Sequence, residues 1–556
     1  MASVDAPRST VTSSRSFDQS LGQDERPRVD QGTDARHAAN LWILGRHEKR
    51  GVTAHHTADE RLHFDSRRGY TFAVNPMEHF DVVIVGAGLS GIGAGCRLQE
   101  NCPRKSYTIL EARECIGGTW DLFRYPGVRS DSDMYTLGYP FRPWDGDLSI
   151  ADGSDILNYV RSTAREYDVD SKIRFGHRVK SASWSADDTK WTIEAEILPS
   201  GDAVYFTCSF LLMCSGYYDY AEGFTPDIPG RERFAGRVVH PQAWTDDITY
   251  EDKRVAVIGS GATAVTMVPA LARKAAHVVM VQRSPSYIVS VPARDAIADY
   301  LRRHLPDGVA QTAVRWKNVL RSMLFFELSR RTPDFVKRLI RKELRSQLGT
   351  DYDLDTHFKP KYNPWDQRVC LVPDGDLFEA IRDGRASVVT DGIAGFTEKG
   401  LALQSGEELE ADLVVTATGL SLLMLGNVAI TVDGEQVDVA NTMSYKGLMF
   451  SDIPNFAFAF GYTNASWTLK SDLTCEYVCR LLNFMDRKGY RQCTPRRDPR
   501  LAERPLIDFS SSYVVRALDK LPKQGHVAPW KLYQNYALDL LMLRYGTVAD
   551  GVLGFS

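Results

Sequence analysis

The sequence predicts an α/β protein in which two strand–loop–helix units form separate parallel sheets and a small helical segment is inserted. FDVVIVGAGLSG at residues 80–91 and RVAVIGSGATAV at residues 254–265 each run from an apolar strand through a glycine-rich loop into a helix. The chain has 556 residues, enough for several domain-sized units that each bury a core. Two doubly wound domains are therefore the expected architecture.

The first glycine-rich loop has the pattern of a dinucleotide-binding fingerprint. Gly86 permits a tight turn, Gly88 lets a pyrophosphate approach the backbone, and Gly91 allows the helix to pack closely on the strand. The next strand, SYTILE, ends at Glu111, where a carboxylate can accept hydrogen bonds from ribose hydroxyls. The alternative for the glycines alone is an ordinary tight turn; the acid that follows favours a dinucleotide site.

The second loop repeats this pattern with Gly259, Gly261 and Ala264, but the next strand ends differently. Arg283 and Ser284 stand where an acid would receive the ribose diol. A cation and a hydroxyl favour a 2'-phosphate, and therefore NADP(H) over NAD(H). The alternative is an exposed arginine on a loop.

One acid-ended unit and one arginine-ended unit predict two Rossmann-like dinucleotide-binding domains, one for FAD and one for NADPH. The stretches LLMCSG and ADLVVTATGL are strands that end in small-residue turns, as expected where the chain crosses between domains. The predicted division is an N-terminal extension without a core, 1–76; an FAD-binding domain, 77–220 and 411–556; an NADPH-binding domain, 221–295 and 351–410; and a helical insert, 296–350.

Composition argues against several other classes. The 67 Lys and Arg are balanced by 71 Asp and Glu, without a block of like charge suited to nucleic acid. The nine cysteines contain no C-x-x-C pair, which argues against a disulfide reductase and a zinc site and favours reduced thiols in the cytoplasm. No metal is expected, no apolar run reaches about 18 residues, and the oligomeric state is left open.

The predicted insert, 296–350, is helical and basic. We expect its apolar residues to pack against the body of the protein, and contact with a membrane surface is the less favoured alternative.

A histidine and a tryptophan lie on the link between the two loops, in FAGRVVHPQAW. Phe234, Gly236, His240 and Trp244 resemble the F-x-G-x-x-x-H-x-x-x-W fingerprint of Baeyer-Villiger monooxygenases, the class B flavoprotein monooxygenases. Thr245 departs from the Pro or Asp that ends the family pattern. Flavin-containing monooxygenases carry tyrosine at the position of Trp244, so tryptophan favours the Baeyer-Villiger branch. The resemblance implies that this link anchors motion between the domains; the alternative is that His240 has no special role.

The resemblance extends from about residue 77 to 545, through GGTWDLFRYPGVRSDSDMY, YNPWDQRVCLVPDGDLF, FGYTNASWTLKSDL and LPKQG. The chain is most similar to the ethionamide-activating group of this family. That similarity implies an FAD- and NADPH-dependent monooxygenase that inserts one oxygen of O2 into ketones through a C4a-peroxyflavin, giving esters or lactones. Sulfides or thioamides are further implied substrates. The alternative is a flavin-containing monooxygenase limited to nitrogen and sulfur oxidation.

The family's site residues carry over by position. Arg368 corresponds to the arginine that faces the flavin, and Asp131 to the carboxylate paired with it. The loop that lies along the FAD corresponds to Gly118, Thr119 and Trp120. Many relatives have a lysine just before the active arginine, where this chain has Gln367. The 2'-phosphate would then depend more heavily on the arginine-ended strand.

Overall fold

The computed structural model describes residues 77–556, and the predicted extension 1–76 lies outside the described residues. The strands, in chain order, are β1 Glu78–Val85, β2 Tyr107–Leu110, β3 Ile173–Arg174, β4 His177–Ser185, β5 Lys190–Ile197, β6 Asp202–Met213, β7 Tyr218–Gly223, β8 Arg237–Val239, β9 Arg254–Ile258, β10 His277–Gln282, β11 Ile288–Val291, β12 Cys370–Pro373, β13 Ala386–Thr390, β14 Ile393–Phe396, β15 Gly400–Leu403, β16 Glu408–Glu410, β17 Leu413–Thr416, β18 Leu420–Leu422, β19 Ala429–Val432, β20 Glu435–Gln436, β21 Ser444–Tyr445, β22 Met449–Phe450, β23 Phe456–Phe458, β24 Cys493–Pro495, β25 Arg504–Pro505, β26 Lys523–Gln524 and β27 Leu553–Phe555. The helices are α1 Leu89–Asn101, α2 Thr119–Leu122, α3 Met134–Leu137, α4 Gly153–Glu166, α5 Ala262–Leu271, α6 Ala296–His304, α7 Asp307–Arg331, α8 Pro333–Leu348, α9 Leu354–His357, α10 Asp376–Arg382, α11 Trp467–Lys488, α12 Ser512–Val515 and α13 Tyr536–Leu540.

The first sheet has nine strands in the order β20-β19-β4-β5-β6-β1-β2-β3, with β23 also paired to β6. Its parallel part centres on β1, where Val82 pairs with Tyr107 of β2 and Phe210 of β6. Residues 82–85 are buried, as expected for a strand covered on both faces. Helices α1 and α11 pack against each other, and their buried residues share one core with those of β1. The first glycine-rich loop therefore lies between the carboxyl end of β1 and the start of α1.

The second sheet has five parallel strands in the order β13-β10-β9-β17-β8. Strand β17 pairs with β9 on one edge and with β8 on the other. The predicted boundary at residue 411 had placed this strand with the first unit. An apolar strand pattern does not specify which strands it pairs with. Because β17 is hydrogen-bonded on both edges within the second sheet, the chain passes from the second unit to the first in the turn after Thr416.

The segments that connect the two sheets pair with each other. Strand β7 follows the first sheet, β18 follows the second, and the two form an antiparallel pair. This two-stranded link ties the two units together beside the carboxyl ends of β6 and β17.

Helices α6, α7 and α8 occupy the predicted insert. Helix α8 packs on β11 and α10, and α7 packs on α3 of the first unit. Arg315 of α7 donates hydrogen bonds to the carbonyls of Tyr135 and Gly138. The insert thus contacts both units, and none of the helices in residues 77–556 is apolar over a length that would cross a membrane.

Candidate active site

The first glycine-rich loop forms a groove without side chains at the start of α1. The φ angle of Gly86 is +103°, and a Cβ at Gly91 would lie 1.9 Å from the Gly86 carbonyl oxygen, so β1 and α1 meet too closely for a side chain. A Cβ at Gly118 would lie 3.1 Å from Gly88 Cα. No side chain caps α1, so its first N–H groups are available to an anion between these loops.

Glu111 fixes the shape of this loop. Its buried carboxylate accepts hydrogen bonds from the N–H groups of Ala87 at 2.6 Å and Arg113 at 2.8 Å. Burial raises the pKa of Glu111, while these two N–H groups oppose that rise. The carboxylate therefore orders the loop backbone, and its predicted contact with a ribose stays a prediction.

The loop containing Gly118, Thr119 and Trp120 is held by a buried acid that the sequence analysis missed. Asp121 is buried and accepts hydrogen bonds from Arg124 at 2.8 Å and Arg161 at 2.9 Å. Its signal in the sequence is weak, because acid–arginine pairs three residues apart are common on protein surfaces, and Arg161 comes from a helix 40 residues away.

The second glycine-rich loop also fits a dinucleotide. A Cβ at Gly259 would lie 2.3 Å from the Ala417 carbonyl oxygen, whereas a Cβ at Gly261 would meet nothing within 4 Å. Helix α5 begins there without a side-chain cap. Ala264 is fully buried where α5 packs on its sheet, and Arg283 is exposed after β10. The space in front of α5 is thus open, with a cation on its rim.

Ser284 lies beside Arg283 and is exposed too. The Ser260 hydroxyl donates to the Ser284 carbonyl at 3.1 Å, which ties the loop after β9 to the loop after β10. The two loops that the sequence assigns to one dinucleotide are therefore in contact.

His240 connects the second unit to the two-stranded link. Its Nε2–H donates to the Gly419 carbonyl at 3.0 Å, and its Nδ1 accepts from the Gln242 N–H at 3.1 Å. A Cβ at Gly223 would lie 1.9 Å from His240 Cε1, so the ring packs against β7. Burial lowers the pKa of His240, which agrees with one donating and one accepting nitrogen.

The other residues of the same motif anchor the link in the second unit. Trp244 is buried in that unit's core. Phe234 packs on Phe396 with ring centroids 5.6 Å apart, and a Cβ at Gly236 would lie 2.5 Å from the Asp412 carbonyl oxygen. Phe234, Gly236 and Trp244 thus hold β8 and its flanking residues in the second unit. His240 extends from this segment to Gly223 and Gly419, which lie on the two segments that connect the sheets.

Arg368 and Asp131 form an ion pair, with Nη2 and Oδ2 2.7 Å apart. The side chains are 26% and 48% exposed, so the pair lies at the edge of the interior. Burial disfavours the charged guanidinium, but the charge of Asp131 and the nearby hydroxyls of Tyr513 and Tyr217 hold the pKa of Arg368 above its usual range. The guanidinium is a fixed positive charge.

This ion pair lines a cavity of about 230 Å³. The cavity wall combines side chains from the first unit, from β11 and β12, and from α7; these include Ile150, Asn464, Val289, Leu371, Arg321 and Phe325. Arg321 and Asp133 also line this cavity. A mostly apolar chamber with a few convergent charged groups is the usual form of a small-molecule site.

A row of aromatic residues, not predicted as site residues, runs from the ion pair to the first loop. Tyr217, which lies near Arg368, stacks on Trp467 with centroids 5.1 Å apart. Trp467 Nε1 donates to the Ser90 hydroxyl in the first turn of α1 at 2.9 Å. The Tyr217 and Tyr218 hydroxyls are 2.9 Å apart. The sequence signal is only a pair of tyrosines directly after a small-residue turn.

Comparison with known proteins identifies the family. The model of the flavin-binding monooxygenase-like family matches residues 80–424. The chain is 55% identical over 481 residues to the FAD-containing monooxygenase EthA of Mycobacterium tuberculosis H37Rv, covering 86% of this chain and 98% of that protein. It is 45% identical over 482 residues to the probable FAD-binding monooxygenase AlmA of Acinetobacter baylyi, covering 86% and 96%.

The fold is shared with solved Baeyer-Villiger-type enzymes. Steroid monooxygenase bound to NADP superposes with a TM-score of 0.66 at 22% identity, covering 86% of this chain and 99% of that one. An open structure of cyclohexanone monooxygenase gives 0.66 at 19% identity, covering 86% and 100%. The predicted α/β fold and the predicted resemblance are both confirmed. The chain belongs to the flavin-binding monooxygenase-like family.

Proposed function

We propose that the protein is an FAD- and NADPH-dependent Baeyer-Villiger monooxygenase that inserts one oxygen atom of O2 into ketones, giving esters or lactones, and that also oxidises sulfides or thioamides. The observation that carries this proposal is the Arg368–Asp131 ion pair at the wall of the cavity. The names of its relatives, FAD-containing and FAD-binding monooxygenases, support the cofactor, and an NADP-bound neighbour of the same fold supports the reductant.

The first loop is the proposed FAD site. The uncapped start of α1 beside Gly88 would bind the pyrophosphate, and the loop of Gly118, Thr119 and Trp120 would cover it. Glu111 would keep the loop backbone in place and accept from the ribose. FAD, once bound and reduced, supplies the chemistry of O2 activation.

The second loop is the proposed NADPH site. The open space at Gly261 leaves room for a pyrophosphate at the start of α5. Arg283 and Ser284 would bind the 2'-phosphate, because both are exposed on the loop that follows β10.

Arg368 supplies fixed positive charge where negative charge develops on the transferred oxygen. Two unit charges 4 Å apart interact by about 1 kcal/mol in water but about 4 kcal/mol at an effective dielectric near 20. Because Arg368 is partly buried, its charge interacts more strongly with a nearby anion than it would in water. Arginine also stays protonated at any working pH. Asp131 orients the guanidinium by binding one of its terminal nitrogens.

The link between the units has a positioning role in this proposal. Hydride transfer requires the donor and acceptor carbons to approach to about 3–3.5 Å, and later steps need the nicotinamide to shift. His240 bonds to Gly419 and packs on Gly223, which lie on the two chain crossings. It would fix the relative orientation of the units without transferring a proton.

Anaerobic reduction tests the proposal most directly. Purified protein should be yellow, and NADPH should bleach the flavin absorption in the absence of O2. On admission of isotopically labelled O2 with a panel of linear, cyclic and aryl ketones, one labelled oxygen should appear in the ester. A colourless protein, or a flavin that NADPH does not reduce, would reject the proposal in favour of a non-catalytic nucleotide-binding role.

A further inference from the structure

The outer face of helix α8 combines apolar and basic side chains. Its inner face is buried, while Phe335, Arg338, Leu339 and Lys342 are all exposed. Their i, i+3, i+4, i+7 spacing places them on one face of the helix. Phe335 and Leu339 are each 52% exposed, although both are large hydrophobic residues.

Helix α7 presents a second exposed apolar row. Leu320, Leu324 and Leu328 follow at i, i+4 and i+8, with 56%, 61% and 37% of their surfaces exposed. Single exposed leucines are normal, but α7 and α8 pack against each other, and exposed apolar rows on two contacting helices are typical of an interaction surface. We call the seven residues of these two rows the outer surface of the insert.

The charge of this segment indicates what the outer surface contacts. Residues 296–348 contain twelve Lys and Arg against five Asp and Glu, whereas the whole chain has a net charge of −4. The ion pairs of α8 use Lys337 and Arg341, which leaves Arg338 and Lys342 of the outer surface to attract an external anion. Positive charge interleaved with exposed apolar residues is complementary to an anionic lipid surface.

Self-association and nucleic acid fit this surface less well. Two copies of the outer surface, brought face to face, would place two strongly basic segments together. A phosphate backbone would satisfy the cations but leave the leucines and Phe335 in water. A bilayer with anionic headgroups satisfies both features.

The outer surface borders the candidate active site. Arg321, Ser322 and Phe325 of α7 line the cavity, and each lies within two residues of Leu320 or Leu324 on the same helix. A ligand that leaves the bilayer beside α7 would therefore meet the cavity wall.

We propose that the outer surface docks the protein peripherally onto an anionic lipid bilayer, with the active-site cavity next to the contact. This interaction goes beyond the proposed reaction and does not depend on it. The apolar rows enter the headgroup–acyl boundary, and Arg338 and Lys342 bind anionic headgroups. An apolar substrate then reaches the cavity from the membrane rather than from dilute solution.

Vesicle flotation of the full-length protein tests this proposal. Vesicles of phosphatidylcholine with phosphatidylglycerol should carry the protein, and vesicles of phosphatidylcholine alone should carry much less, with binding falling as salt is added. The variants F335S/L339S and L320S/L324S should each lower partitioning by about tenfold or more, since each loses two apolar anchors. The variant R338E/K342E should lose the preference for phosphatidylglycerol.

A matched control replaces exposed hydrophobic residues elsewhere on the chain. Tyr205 and Val527 are 46% and 44% exposed, and Y205S/V527S should bind vesicles like wild type. All variants alter exposed positions, so their melting temperatures should match wild type. The proposal would be overturned if wild-type protein bound equally to vesicles with and without phosphatidylglycerol, or if the outer-surface variants floated as well as wild type. A wild-type dimer that F335S/L339S converts to monomer would instead assign the surface to a second copy of the chain.

Discussion

Asp131 Oδ2 lies 2.7 Å from Arg368 Nη2, and this ion pair joins the two units of the protein. Asp131 precedes α3 of the first unit, whereas Arg368 precedes β12, which pairs with β11 after the second sheet. We expect the geometry of a charged pair at such a junction to change if the units move, and this pair is the centre of the proposed chemistry.

Replacing Arg368 by alanine separates the two candidate reactions. We expect ester formation to fall by about a hundredfold to a thousandfold, the usual cost of removing a preorganised stabiliser of a developing oxyanion. Sulfide oxidation should fall less, because it does not pass through an anion attacking a carbonyl. The measurement is kcat for a ketone and a sulfide with one preparation, and Arg303→Ala on α6 is the exposed control. Equal losses in both activities would contradict the assigned role.

Asp131→Asn tests whether the carboxylate acts through Arg368. We expect a smaller loss of ester formation, about tenfold, because the guanidinium keeps its charge but loses its orienting partner. In an Arg368→Ala background the same substitution should change almost nothing, which a double-mutant cycle of kcat measures. The exposed Asp452→Asn is the control. Additive effects would show that Asp131 acts independently.

The second glycine-rich loop offers a pair of substitutions with opposite signatures. Gly261→Ala adds a methyl group in open space, so stability should not change, but the NADPH KM should rise about tenfold because the methyl group occupies the pyrophosphate site. Gly259→Ala places a Cβ 2.3 Å from a carbonyl oxygen at a φ of +133°, and should lower the melting temperature by several degrees.

Thermal unfolding and NADPH kinetics on the same preparations distinguish these outcomes. Gly308→Ala, also in open space but on α7, should alter neither quantity. If Gly261→Ala leaves the NADPH KM unchanged, the second loop does not bind the dinucleotide.

Arg283→Ala should weaken NADPH and spare NADH. A charge-assisted hydrogen bond is worth about 1.5–3 kcal/mol, so the NADPH KM should rise by about tenfold to a hundredfold. The NADH KM should stay the same because NADH lacks the 2'-phosphate. Steady-state kinetics with both reductants measure the two KM values, with Arg385→Ala, at a partly exposed position, as control. A parallel rise for NADH would mean that Arg283 supports the loop rather than the phosphate.

His240 gives a prediction for stability against pH. Burial lowers its folded-state pKa below the usual 6.5, so between these two values the unfolded chain binds more protons than the folded one. The contribution of His240 to the free energy of unfolding should therefore be complete above a pH of about 6.5 and should fall as the pH drops below that value. His240→Gln should show less of this acid loss, measured as the difference in melting temperature between the two proteins from pH 8 to about 5. Parallel curves would show that His240 does not contribute.

Much of the site was predictable because its signals are local. The glycines of both loops, Glu111 and the arginine-ended strand β10 are each defined by a few residues around one strand–helix turn. Backbone sterics at such a turn restrict the residue types that it accepts. The motif can therefore be recognised without knowing which other parts of the chain contact it. The residues missed were Asp121 and the aromatic row of Tyr217 and Trp467. Arg161 reaches Asp121 from 40 residues away, and Tyr217 and Trp467 are also far apart in the chain.

The assignment of β17 shows the same limit in the fold. Its apolar residues predict a buried strand, but only pairing with β8 and β9 places it in the second sheet. The outer face of α8 is similar: the sequence predicts an amphipathic helix, and only packing shows that Phe335 and Leu339 stay exposed.

The sequence by itself determined the fold class, the two glycine-rich loops and the identity of the charged residues, because these depend on periodicity and on backbone geometry within a few residues. Only the tertiary structure decided that the Arg368–Asp131 pair, which the family resemblance implied, lines a cavity together with α7, that His240 contacts both segments connecting the two sheets, and that one apolar face of the insert stays exposed. Such contacts arise when elements far apart in the chain pack together, and their geometry is not encoded at any single position.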